Sequence, residues 1–81
     1  MQIAVQCFGV TARLAGSTRL AIEIPHPATV ADALAALADQ HEALAPTLPR
    51  CACARGDQII LRETALHDGD EIALLPPVAG G

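Results

Sequence analysis

The sequence predicts an α+β roll, a mixed sheet with a helix packed on one face and the other face left open. Three observations predict it. Two runs near the start alternate apolar and polar residues with period 2, one central stretch carries apolar residues at helical spacing, and short strand-like runs resume after it. With 81 residues there is room for one core and one domain, residues 1–75, followed by a tail, residues 76–81.

The first run, residues 2–8, sets Ile3, Val5 and Cys7 on one side and Gln2, Ala4, Gln6 and Phe8 on the other. The second, residues 19–24, repeats the pattern with Leu20, Ile22 and Ile24, and a loop containing Gly9 and Gly16 joins the two as a hairpin. Pro25-His26-Pro27 ends the second strand. Thr29 then stands where an N-cap belongs, with Asp32 three residues on in a variant of the capping box, which predicts a helix to about Gln40.

Val30, Ala33, Leu34, Leu37 and His41 recur at helical spacing, leaving Asp32, Asp39 and Gln40 to water, and Pro46 and Pro49 prevent the helix from continuing. Residues 51–54 and 58–61 read as short strands around the turn Arg55-Gly56-Asp57. His67-Asp68-Gly69-Asp70 is a second turn, and residues 71–75 form the last strand. Strand alternation has a consequence: if Ile3, Val5, Cys7, Ile72 and Leu74 face the helix, then Phe8, Ala73 and Leu75 face outward.

Composition narrows the function. The hydrophobic fraction is 52%, yet Phe8 is the one aromatic residue, so aliphatic packing must hold the core. The net charge of −4 repels phosphate backbones, which argues against nucleic-acid binding and for a protein partner with a basic docking surface. Three cysteines without a secretory h-region fit a reducing cytoplasm, and no apolar stretch approaches the roughly 20 residues that span a bilayer.

Cys51-x-Cys53 lacks the second pair that would close a tetrahedral metal site, so the cysteines, Cys7 included, read as buried structural thiols and no metal is expected. Arg55-Gly56-Asp57 reads as a hairpin turn rather than an adhesion signal. His26, His41 and His67 are dispersed and form no triad.

The tail Pro76-Pro77-Val78-Ala79-Gly80-Gly81 carries the chemistry. Two prolines stop ladder pairing and keep the segment extended, while the final glycines add no side chain. Six extended residues reach about 20 Å, enough to thread an end into another protein's active site. A carboxylate at Gly81, with a reference pKa of about 3.3–3.7, is ionised and inert at neutral pH until another enzyme activates it. Attack on the α-phosphate of ATP would give an acyl-adenylate, from which sulfur could displace the nucleotide to leave a thiocarboxylate.

The segment from Asp68 through Glu71-Ile72-Ala73-Leu74-Leu75 and the Pro-Pro-Val-Ala-Gly-Gly tail resembles the C-terminal signature of the small subunits of molybdopterin synthase. Phe8-Gly9 followed by Leu14-Ala15-Gly16 is similar to that family's first loop. The resemblance implies a ubiquitin-like β-grasp fold and a cycle in which the chain itself binds no cofactor. An E1-like adenylating enzyme uses ATP and Mg²⁺ to activate Gly81, and a sulfur donor protein converts it to the thiocarboxylate. The large synthase subunit, in a heterotetramer, then presents the sulfur to a cyclic pterin precursor.

In that family the catalytic side chains belong to the partners, and Phe8, Ile59 and Leu75 match apolar residues of the docking face. The pattern departs from the family at Ala12-Arg13, where Arg-Glu is usual, and at Arg55-Gly56, where Asn is common. The alternatives are a carrier feeding thiazole or another sulfur product, a ubiquitin-like protein modifier, and an interaction domain whose end has no chemistry.

Overall fold

The structure, a computed structural model, describes residues 1–77. It contains five main strands, β1 (Gln2–Cys7), β2 (Arg19–Glu23), β4 (Ala52–Arg55), β5 (Gln58–Ile60) and β7 (Glu71–Leu75), in the order β2-β1-β7-β4-β5. The central pair, β1 and β7, is parallel and the remaining pairs are antiparallel, so the sheet is mixed as expected.

One face is covered by helix α2 (Val30–Gln40), whose buried Val30, Ala33, Leu34 and Leu37 share a core with Ile3, Val5, Cys7, Ile22, Ile72 and Leu74. The capping box forms as the sequence implies: the Thr29 amide donates to Asp32 Oδ2 at 2.8 Å and the Asp32 amide to Thr29 Oγ1 at 3.4 Å. No aromatic ring contributes to this core. Ile3, Ile22, Leu37, Leu44, Ile72 and Leu74 are each nearly removed from water, a transfer worth about 1.5–3 kcal/mol per side chain.

The first loop is not irregular. It holds a short helix, α1 (Val10–Ala15), between Gly9 and Gly16, and the Gly16 amide closes it by donating to the Ala12 carbonyl at 2.9 Å. A two-residue ladder joins β3 (Ala28–Thr29) to β6 (Ala65–Leu66) beside the start of α2. After α2, 3₁₀ turns at Glu42–Leu44 and Leu48–Arg50 occupy the proline-containing stretch and bury Leu44 and Leu48. Arg62 Nη2 secures the second turn, lying 3.1 Å from the Leu48 carbonyl and 3.0 Å from that of Cys51.

Both predicted turns are present. Arg55 pairs with Gln58, leaving Gly56-Asp57 as a two-residue loop, and Gly56 takes the positive φ of 63° that a glycine at the first loop position permits. In the His67–Asp70 turn, Asp70 Oδ2 accepts the His67 amide at 2.8 Å and Arg55 Nη1 at 3.1 Å, while Asp68 Oδ1 accepts the Gln2 amide at 2.7 Å and ties the turn to β1.

The three cysteines are buried, and β7 separates Cys7 from Cys53, because Leu74 pairs with both. Among the described residues no group of three or more His, Cys, Asp or Glu side chains could hold a metal ion, and no helix is long and apolar enough to cross a membrane.

Candidate functional site

Parallel pairing makes β1 and β7 end side by side. Cys7 pairs with Leu74, so the next residues, Phe8 just past β1 and Leu75 at the end of β7, stand side by side at the point where Pro76 begins. Because Cys7 and Leu74 point into the core, their successors belong to the opposite, uncovered face. On the other side of β7, Leu75 pairs with Ala52 and Ala73 with Ala54, and Ala54 pairs in turn with Ile59.

The result is an apolar surface with a floor of alanines and taller side chains at its margins. Phe8 is 47% exposed and Ile59 63%, while Leu75 is half-buried. These are the three docking residues expected from the sequence. Phe8 and Leu75 adjoin, and Ile59 lies two strand spacings from β7, about 10 Å. Toward β2 the same face turns polar with Gln6 and Arg19. Arg19 meets Glu71 there in an exposed charge contact without an aligned hydrogen bond, a pairing worth about 0.2–1 kcal/mol.

Two devices fix the place where the tail departs. Thr11, fully buried, bonds through its hydroxyl to both the amide and the carbonyl of Phe8. Gly9, at φ 55° and ψ −124°, turns the chain off β1, and a Cβ on it would stand 3.6 Å from Pro76 Cγ, so the loop backbone and the tail's first proline are neighbours. Pro76 is half-buried and Pro77 exposed. Val78, Ala79, Gly80 and Gly81, the remainder of the expected threading segment, lie outside the described residues.

The surface is built from aliphatic side chains and one aromatic ring, and the chain's thiols lie on the other side of the sheet, in the core. Burial pushes the thiols of Cys7, Cys51 and Cys53 above their ordinary pKa; neighbouring Cys51 raises Cys7 further, and the nearby Thr11 hydroxyl acts the other way. Arg62 pulls Cys51 and Cys53 the other way by a smaller amount. They remain protonated thiols at neutral pH and are poor nucleophiles.

Sequence reasoning missed three features of this region. Leu61, 63% exposed, stands two residues beyond Ile59, just past the end of β5, and its large apolar side chain beside a strand was the available signal. Val10 and Leu14 are exposed one helical turn apart on α1, a pair that reading the segment as a loop conceals. Thr11 gave no signal beyond being a small polar residue.

Residues 5–81 match the ThiS family. The chain is 34% identical to the molybdopterin synthase sulfur carrier subunit of Chlamydomonas reinhardtii, over the whole of both chains. Among solved structures, the crystal structure of SAMP1 from Haloferax volcanii superposes with a TM-score of 0.88 at 31% identity, covering both chains fully. In the complex of subunits 1 and 2 of the molybdopterin-converting factor from Helicobacter pylori 26695, one chain is 34% identical over the full length of both, with a TM-score of 0.68.

A mixed five-stranded sheet with one main helix, and a tail leaving the strand beside the first, define a ubiquitin-like β-grasp protein of the sulfur-carrier type. Within that class, this chain belongs to the ThiS family.

Proposed function

We propose that this chain is the sulfur carrier of a molybdopterin synthase. Residues 76–81 act as a threading tail, and the carboxylate of Gly81 is adenylated by an E1-like enzyme with ATP and Mg²⁺. A sulfur donor protein converts the adenylate to a thiocarboxylate, and the large synthase subunit, in a heterotetramer, directs the sulfur to a cyclic pterin precursor. The setting is the reducing cytoplasm.

The observation that carries the reading is the apolar face formed by Phe8, Ile59 and Leu75 at the root of a Pro-Pro-Val-Ala-Gly-Gly tail. A docked partner would bury this face and receive the tail in one event. The full-length similarity to a molybdopterin synthase sulfur carrier subunit favours this product over thiazole. The similarity to SAMP1 favours a second reading, a protein modifier whose Gly81 becomes linked to lysines of other proteins.

Intact mass analysis after incubation with ATP, an adenylating enzyme and a sulfur source tests the proposal. The expected change is one oxygen exchanged for sulfur, abolished by deleting Gly81 although the fold is retained. Undiminished sulfur transfer by the deletion variant would eliminate the carrier, and stable attachment to lysines of other proteins would select the modifier.

A further inference from the structure

We infer that this chain is an acyl donor only: once its Gly81 carboxyl is activated, the chain offers no lysine and no exposed thiol to a second activated copy, and its Met1 amino group is already hydrogen-bonded, so any amide it forms joins a single copy to a different protein. The inference rests on the activation proposed above. In the step concerned, an amine nitrogen attacks the acyl carbon of the adenylate. The C–N bond forms, the bond from carbon to the phosphate oxygen breaks, AMP leaves and the nitrogen releases a proton to water.

The sequence removes the usual acceptor. Its five basic residues are Arg13, Arg19, Arg50, Arg55 and Arg62, which account for the entire Lys+Arg count of five, so there is no lysine among the 81 residues. A guanidinium is not deprotonated in proteins and does not attack an acyl group.

The structure constrains what remains. The amino group of Met1 donates to the Ile24 carbonyl at 2.6 Å, and the Ile24 amide returns a bond to the Met1 carbonyl at 3.0 Å, so the amine is engaged along the β1–β2 margin. It lies at the end of β1 opposite the root of the tail. Cys7, Cys51 and Cys53, the chain's thiols, are 1%, 2% and 1% exposed, which denies a thioester acceptor. Serine and threonine hydroxyls are weak nucleophiles unless a base activates them.

Copies of a carrier meet one another's activated ends, so a surface lysine would be a target for self-acylation. This composition suits repeated charging and discharge. If the chain also modifies proteins, it does so one unit at a time.

The test uses the full 81-residue chain bearing a C-terminal thioester installed chemically, incubated with free lysine and read by intact mass. The expected outcome is single copies capped by lysine and no species equal to two chains less one thiol. An Arg50→Lys variant should bring that two-copy species in. A two-copy species from the unsubstituted chain, with its cross-link mapped to Met1 or a cysteine, overturns the inference. Because the thioester bypasses enzymatic activation, failure of the carrier reading shows separately, as an ATP reaction that leaves Gly81 unchanged.

Discussion

The hydroxyl of Thr11 accepts the Phe8 amide at 2.9 Å and donates to the Phe8 carbonyl at 2.7 Å, so one buried side chain holds both backbone polar groups of the residue that follows β1. Thr11→Val keeps the shape and removes both bonds, leaving the Phe8 amide without its partner. We expect a loss of about 1–3 kcal/mol in urea denaturation, the usual cost of an unsatisfied buried group. Thr11→Ser restores the hydroxyl and should recover most of it. An unchanged denaturation midpoint for the valine variant would show that the pair does not stabilise the fold.

The exposed face should tolerate charge in the free protein and not in the complex. On the proposed function, Phe8→Asp or Ile59→Asp is expected to weaken binding to the large synthase subunit by more than about 1 kcal/mol in calorimetric titration, while thermal stability changes little because both side chains already meet water. Gln40→Ala, exposed at the end of α2 on the opposite side of the sheet, serves as the control that leaves affinity alone. Unaltered affinity for both Asp variants would mean that docking uses another surface.

How much of this was legible beforehand depends on the length of each signal. Ile3, Val5 and Cys7, or Ile72 and Leu74, announce their strands because burial of one face imposes period 2 over several residues, and Thr29 with Asp32 announces α2 through a local hydrogen-bond geometry. The α1 segment is six residues long, too short for helical propensity to stand out; its helix exists because Thr11 is buried and Gly9 and Gly16 supply the turns at its ends. The pairing of Ala28–Thr29 with Ala65–Leu66 has no period to detect at two residues. Parity alone places Phe8 and Leu75 on the open face, whereas their adjacency depends on β1 and β7 being parallel, a long-range fact that alternation does not encode.

The buried thiols make stability depend on alkaline pH. Burial is the main reason that Cys7, Cys51 and Cys53 bind their protons more tightly when folded than the ordinary value of 9.0 implies. As pH rises through that value, the unfolded chain releases thiol protons that the folded chain retains, so unfolding becomes easier; below it, both states are protonated and this contribution is constant. Denaturation midpoints should therefore fall as pH passes about 9 and onward to the folded-state values. Cys53→Ala should reduce that slope, and an identical pH profile for the variant would assign the loss to other groups. At neutral pH, a thiol reagent should label the folded chain slowly and the unfolded chain quickly.

Gly9 and Gly16 bound the same short helix and separate two kinds of backbone demand. Gly16 sits in the left-handed helical region, φ 73° and ψ 16°, with nothing within 4 Å of the place a methyl would take, so Gly16→Ala should cost about 1 kcal/mol and Gly16→Asn less. Gly9, at φ 55° and ψ −124°, occupies the mirror image of the β region, which an L side chain resists far more strongly. Its added Cβ would meet Pro76 Cγ at an ordinary van der Waals distance of 3.6 Å, so crowding is not the obstacle. Gly9→Ala is therefore expected to cost about 3 kcal/mol in urea denaturation, through the backbone alone. Relief of that strain must move Phe8 or Pro76, and the Leu75 amide resonance should shift in Gly9→Ala but not in Gly16→Ala. Equal costs for the two alanines would show that the Gly9 backbone relaxes freely, and that the root of the tail is not held by the turn beneath it.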